Sequence, residues 1–149
     1  MRAVVQRVSS AQVTVGGEVT GQIRRGLLVY LGVEKTDTPG DVPYMVEKIT
    51  NLRIFEDEAG KMNRSMLDEA GDLLCISQFT LLGDCRRGRR PSFTDAKEPV
   101  EADALYRQFI QMCREKGITT ETGVFQAHME VASVNDGPVT MIIDSKKLF

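Results

Sequence analysis

Valine recurs at alternate or near-alternate positions through residues 2–8 and 11–15, the period-two signature of strands with one buried face. Gly16-Gly17 follows, then EVTGQI, so the chain is expected to open with a hairpin turn and a return strand. From Gly26 the pattern changes to GLLVYLGV, an almost uninterrupted apolar run of strand length. It predicts a fourth strand at the centre of the sheet, buried on both faces.

Helical spacing takes over next. Val42, Met45, Val46 and Ile49 are separated by three, one and three residues, which puts one apolar stripe on a helix. Thr38 offers an N-cap hydroxyl, Pro39 fits the first helical position, and Asp41 completes a box-like start. Residues 52–55 read as a resumed strand and 57–60 as a turn. After Gly71 and Asp72, LLCIS predicts another buried strand. A second helix is expected from about residue 99 to 116: Leu105, Phe109, Met112 and Cys113 recur at helical intervals, Arg114 and Lys116 complement the C-terminal dipole, and Gly117 suits a left-handed cap. Residues 118–125, 129–134 and 138–143 predict further strands. The expected fold is one α+β domain over residues 1–149, with a predominantly antiparallel, barrel-like β-structure and two helices packed on one face.

Composition adds bounds. Hydrophobic residues make up 42% and charged residues 27% of the chain, with no shift that marks a linker. The longest apolar run, LLVYLGV, ends at Glu34 and Lys35, well short of the roughly 18 residues of a membrane span. Three cysteines without C-x-x-C spacing, and a start lacking a long apolar core, fit a reducing cytoplasm. A net charge of -2 gives no global case for a nucleic-acid partner, so any such case is local. Arg86, Arg87, Arg89 and Arg90, with Gly88 between them and Pro91 after, read either as a solvated charge run or as a surface for anions.

Chemistry is narrowed by what is missing. His128 and three scattered cysteines match no zinc spacing, and neither phosphate-cradling glycine motif is present. No metal or cofactor is therefore expected. A serine or threonine nucleophile needs a base within reach, and His128, on an expected strand over residues 127–134, reads as a structural or surface histidine. Cys75 lies in an apolar run and Cys113 on a helix's apolar face; only Cys85, among arginines, is placed for thiol reactivity. Two segments stand out. The strand over residues 73–77 turns polar at Ser77, Gln78 and Thr80 just before the arginines, and NDGPVT at 135–140 pairs a residue without a side chain, Gly137, with one of fixed φ, Pro138. The latter reads as a tight turn between strands or, with a cis bond, as a rigid edge of backbone carbonyls suited to sensing a substrate's shape.

Together, SQFTL at 77–81 and NDGPVT at 135–140 closely resemble the paired signature motifs of the D-aminoacyl-tRNA deacylases, the D-tyrosyl-tRNA deacylase family. RRGRRPSFTDA resembles that family's basic-glycine-x-Arg-Pro-Ser-Phe stretch, GVFQAHMEV the strand before its second motif, and MRAVVQRV its usual start, so the likeness spans essentially the whole chain. QAH at 126–128 departs from the glycine-alanine-acid usual there, and Arg89 stands where asparagine is frequent.

The resemblance implies an enzyme of translation proofreading that hydrolyses the ester joining a D-amino acid, or glycine on the wrong tRNA, to the terminal adenosine of tRNA. It implies a homodimer with the active site at the subunit interface, in which a cis Gly137–Pro138 bond reaches into the partner's pocket and its carbonyls exclude an L side chain. Backbone N–H groups around Phe79 and Thr80 would form the oxyanion hole, with Ser77 and Gln78 as polar support. The Thr80 hydroxyl is the nucleophile candidate, but no base is visible, which favours a positioned water with the ribose 2′-hydroxyl relaying a proton. Met129 lines the pocket or fills the core. The four arginines would meet acceptor-stem phosphates, which position tRNA without reading its sequence. The competing reading is a non-catalytic tRNA-binding module in which RRGRR grips phosphates and SQFT merely closes a strand.

Overall fold

Fourteen residues, Arg2–Val15, form a single strand, β1, where two were expected. The structure, a computed structural model, describes residues Met1–Phe149. The other elements follow in chain order: β2 (Glu18–Ile23), β3 (Gly26–Gly32), α1 (Asp41–Thr50), β4 (Phe55–Glu56), β5 (Met62–Arg64), β6 (Asp72–Ser77), a 3-10 turn (Phe79–Leu82), α2 (Pro99–Glu115), β7 (Thr120–Thr122) and β8 (Glu130–Asp144). No helix is long and apolar enough to cross a membrane.

β1 is the hub because its length lets it serve three partners. The Gly16-Gly17 turn folds β2 antiparallel onto its C-terminal half, β3 pairs antiparallel with its N-terminal half, and β8 runs antiparallel along almost all of its other edge. Beyond β3 the direction changes, with β3–β6 and β6–β7 both parallel. The predominantly antiparallel expectation is thus refined to a mixed sheet. α1 lies in the connection from β3 to β6 and α2 in that from β6 to β7, and such long crossovers permit parallel neighbours. The sheet order β2-β1-β3-β6-β7 curls until β2 meets β7, so closely that a Cβ on Gly21 would lie 2.6 Å from the Thr122 carbonyl oxygen. The result is nearly a barrel.

Two apolar cores lie on opposite faces of this sheet. Leu27, Val29 and Leu31 of β3 join the larger one, under Val42, Met45 and Ile49 of α1 and Leu105, Phe109 and Cys113 of α2. Leu28 instead points into the smaller one with Val8, Val13, Ile23, Leu74 and Ile76. β3 is therefore buried on both faces, as its continuous apolar run predicts. Each fully buried aliphatic side chain here contributes about 1.5–3 kcal/mol. The chain start is fixed as well: the Met1 ammonium group donates to Asp37 Oδ1 at 2.6 Å, and both groups are fully buried.

Several boundaries differ from the sequence expectation. α1 begins at Asp41 with Gly40 before it, and Thr38 does not cap it; the Thr38 N–H and hydroxyl both donate to Asp41 Oδ2, at 2.9 and 3.0 Å. The expected strand at 52–55 shrinks to β4, paired only with β5, and that at 118–125 shrinks to β7. The two expected strands at 129–134 and 138–143 merge into β8, because β1 is long enough to template the whole run. α2 keeps proline in its first turn, and Gly117 follows it with φ +80°.

Candidate functional site

The site grows from the end of β6. Leu73 to Ile76 are fully or almost fully buried, Ser77 is half-buried, and Gln78 N–H still donates to the Leu31 carbonyl at 2.9 Å. There the chain leaves the sheet and tightens into the turn Phe79–Leu82, anchored by buried Leu82. Leu81 and Gly83 N–H donate back to Gln78 and Thr80 carbonyls, but the N–H groups of Phe79 and Thr80, at the start of the turn, have no protein acceptor. Such orphan donors are what the opening of any helical turn leaves. The Thr80 hydroxyl accepts a hydrogen bond from Gln78 Nε2 and meets no base.

Ser77, Gln78 and Phe79 form one wall of a cavity of about 510 Å³. Phe125, Met129 and Val131 add apolar lining, and Lys97 and Ala102 come from the approach to α2 and its first turns. Thr80 does not line it. Met129 does, half-buried and against the smaller core. His128 also lines it, but from an exposed loop before β8 and not from a strand, which corrects the strand placement. Gln126, where the family pattern has glycine, adopts φ +63°, a left-handed conformation that favours glycine. Beneath the cavity, the Tyr106 hydroxyl donates to the Cys75 carbonyl at 2.7 Å and ties α2 to β6; burial pushes its pKa up. Burial likewise pushes the Cys113 thiol up to about 12 and raises Cys75. Both are buried neutral thiols, whereas Cys85 is exposed.

The arginine run is a closed loop. Asp84 and Ser92 exchange two backbone hydrogen bonds, at 2.8 and 3.0 Å, so the intervening residues project from one short bridge. The arginines are not equivalent. Arg86 donates Nε and one terminal nitrogen to the two Asp84 carboxylate oxygens, at 2.9 and 2.7 Å. Those hydrogen bonds, with the Arg86 backbone N–H, hold the Asp84 pKa down at about 2. Arg87, Arg89 and Arg90 are exposed and pair with no carboxylate.

Gly137 and Pro138 lie apart from this cavity, exposed on β8. The register jumps from Val8↔Asn135 to Gln6↔Thr140, leaving residues 136–139 bulged opposite Arg7 alone. The Gly137–Pro138 bond is cis. Asn135 closes the bulge, its amide donating to Thr140 Oγ1 and its carbonyl accepting from Val139 N–H. Arg7, only 6% exposed, props it from behind by donating to the carbonyls of Asp136 at 3.0 Å and Ile54 at 2.7 Å. The fold therefore joins Ser77, Gln78, Phe79 and Met129 at one cavity and leaves the Gly-Pro bulge elsewhere.

Lys97, Phe125 and Arg7 escaped the sequence reading. Arg7 falls in step with Ala3 and Val5 on the buried face of β1, a signal that was available; Lys97 and Phe125 sit in segments without periodicity and carry no comparable mark.

The sequence profile described as "D-Tyr-tRNA(Tyr) deacylase" matches residues 4–144. Among similar proteins, the D-aminoacyl-tRNA deacylase of Alkaliphilus metalliredigens (strain QYMF) is 62% identical over the full length of both chains. That of Clostridioides difficile (strain 630) is 58% identical, again over both full lengths. A solved structure described as "c-Myc DNA Unwinding Element Binding Protein" superposes with a TM-score of 0.90 at 42% identity, covering 97% of this chain and 98% of that one. A second, of "a probable eukaryotic D-amino acid tRNA deacylase", has a TM-score of 0.85 at 17% identity over 95% of this chain and 97% of that one, a likeness of fold.

Proposed function

The chain belongs to the D-Tyr-tRNA(Tyr) deacylase family, a family of ester hydrolases, and from that premise we propose that it hydrolyses D-aminoacyl-tRNA, and glycine carried on the wrong tRNA, to free amino acid and tRNA. The observation that carries this reading is the pair of unpaired backbone N–H groups at Phe79, which lines the cavity, and at Thr80, the next residue, beside a lining that mixes polar and apolar side chains. Fixed donors of this kind stabilise the oxygen on which charge develops, and they need no reorganisation as the reaction proceeds.

An aminoacyl ester is already activated, so a positioned water suffices. The water oxygen bonds to the carbonyl carbon, negative charge collects on the carbonyl oxygen against the Phe79 and Thr80 N–H groups, and the ester C–O bond breaks. The water's proton passes through the neighbouring ribose 2′-hydroxyl to the departing 3′-oxygen. Ser77 and Gln78 give polar support beside those N–H groups. The Thr80 hydroxyl, held by Gln78 and without a base, serves geometry and not covalent attack. Lining residue Met129 bounds the amino-acid end.

Handedness is read by a second copy. The Gly137–Pro138 bulge of one protomer enters the cavity of its partner, where its carbonyls leave no room for an L side chain. Two features support a homodimer with the active site at the interface. β8 is a fifteen-residue strand paired on one edge only, and it carries Val134 and Ile142 exposed at 57% and 60%. Unpaired strand edges with apolar side chains seek a partner. Arg87, Arg89 and Arg90 meet acceptor-stem phosphates, while Arg86 shapes their loop. The substrate places the enzyme in the cytoplasm.

A paired assay tests the reading. Purified protein is expected to free a D-amino acid from tRNA and to leave the matching L-ester nearly intact; equal rates would remove the chiral mechanism. Salt-sensitive tRNA binding without turnover would instead support the non-catalytic RNA-binding module.

A further inference from the structure

Two aromatic rings lie open to solvent where the cavity meets the arginine loop. Phe79, on the cavity wall, is 56% exposed, and Phe93, just beyond the Asp84–Ser92 bridge, is 38% exposed. The rings meet edge to face, with centroids 5.2 Å apart and planes at 70°. Neither belongs to the hydrophobic cores. The backbone nonetheless holds Phe93 in place. A Cβ on Gly83 would come within 2.9 Å of its ring, and the segment that follows is pinned to the end of β3 by Lys35 N–H to Asp95 and Lys97 N–H to Val33, at 2.8 and 3.0 Å. An exposed ring held this firmly, beside three arginines free of carboxylates, has the composition of a single-stranded nucleic-acid site: a flat apolar face for a base and cations for its phosphates.

The geometry points to Phe93, with Phe79 at its edge, as a stacking platform for the unpaired nucleotide that precedes the esterified terminal adenosine. This rests on the proposed deacylase reading and extends it from the reacting ester to the nucleotide outside the cavity. The terminal nucleoside enters the cavity past Phe79. The preceding base leaves the mouth over Phe93, and its backbone continues toward Arg87, Arg89 and Arg90. Stacking is indifferent to base identity, which suits an enzyme serving many tRNAs.

The test compares three substrates carrying the same D-amino acid: intact tRNA, tRNA with an abasic nucleotide immediately before the terminal adenosine, and the D-aminoacyl ester of adenosine alone. With wild-type protein the abasic tRNA is expected to show KM raised about tenfold, the loss typical of one base–aromatic stack, with kcat nearly unchanged. Phe93→Leu, which keeps apolar bulk over Gly83, is expected to raise KM on intact tRNA by a similar factor, to add nothing on the abasic tRNA, and to leave hydrolysis of the adenosine ester unchanged. Equal KM for intact and abasic tRNA in the wild type overturns the platform. So does an equal loss by Phe93→Leu on the adenosine ester, which would make the ring part of the cavity, or a shift of that variant's sedimentation coefficient, which would make it a contact between protomers. If wild-type protein hydrolyses no D-ester, the deacylase reading fails separately; intact and abasic tRNA are then compared by equilibrium binding, where a tenfold weaker abasic complex keeps the platform and equal affinity removes it.

Discussion

Asp84 changes the meaning of the arginine run. Four like charges within five residues read as four equivalent phosphate contacts, yet the carboxylate two positions before Arg86 occupies that guanidinium on two nitrogens. Bidentate geometry suits a carboxylate as well as a phosphate. Because the folded-state pKa of Asp84, about 2, lies below the ordinary carboxylate value of roughly 3.9, the clamp is fully present above that ordinary value and is lost as pH falls through the depressed one. Carboxyl-carbon NMR should therefore show Asp84 titrating near 2, and in Arg86→Ala its midpoint should return toward the ordinary range. A wild-type midpoint near 4 would mean that Arg86 does not clamp Asp84. The Asp-x-Arg spacing was present in the sequence, but spacing alone does not say which neighbour a flexible side chain takes.

At the scale of elements, β8 shows what pattern can and cannot give. NDGPVT was legible as a special segment because glycine and proline each restrict a backbone in a known way. That the flanking runs are one strand was not legible, since their register comes from β1, more than a hundred residues earlier. Nor was the prop behind the bulge. Arg7→Ala removes two hydrogen bonds from a buried charged group to carbonyls, and is expected to cost about 2–3 kcal/mol in chemical denaturation. Gly137 has φ +135°, and a Cβ there would lie 2.7 Å from a Val139 methyl. Arg7→Ala and Gly137→Ala should both erode rejection of the L-ester more than they slow the D-ester, read as the ratio of the two kcat/KM values. Unchanged ratios in both would leave the bulge without a role in discrimination.

For the whole molecule, the two helices followed from periodicity, the turn at Gly16-Gly17 from its glycines, and the buried course of β3 from its unbroken apolar run. The direction of β6 and β7 did not, because the apolar run of β6 reports burial on both faces and not which way a neighbouring strand runs, and β7 is only three residues long. The cavity's composition was half legible: Ser77, Gln78, Phe79 and Met129 were named, whereas Lys97 and Phe125 arrive through the fold alone. The proposed assembly has its own measurement. Ile142→Asp places a charge on the exposed face of β8, and sedimentation velocity is expected to show the wild type as a dimer and the variant as a monomer that has lost most of its D-specific activity. A wild-type monomer of full activity would refute the shared site.

The lip of the cavity at Met129 and the bulge at Gly137 bracket residues 130–135 of β8, which pair along β1 with no loop between them and a single register shift, between Val8 and Ser10. Between that shift and Glu130, adding or deleting a residue would move one by a ladder step of about 3.3 Å and send intervening side chains to the wrong face. Evolution can lengthen the β1–β2 connection at little cost, but along this stretch it is left with exchanging side chains on a ruler of fixed length.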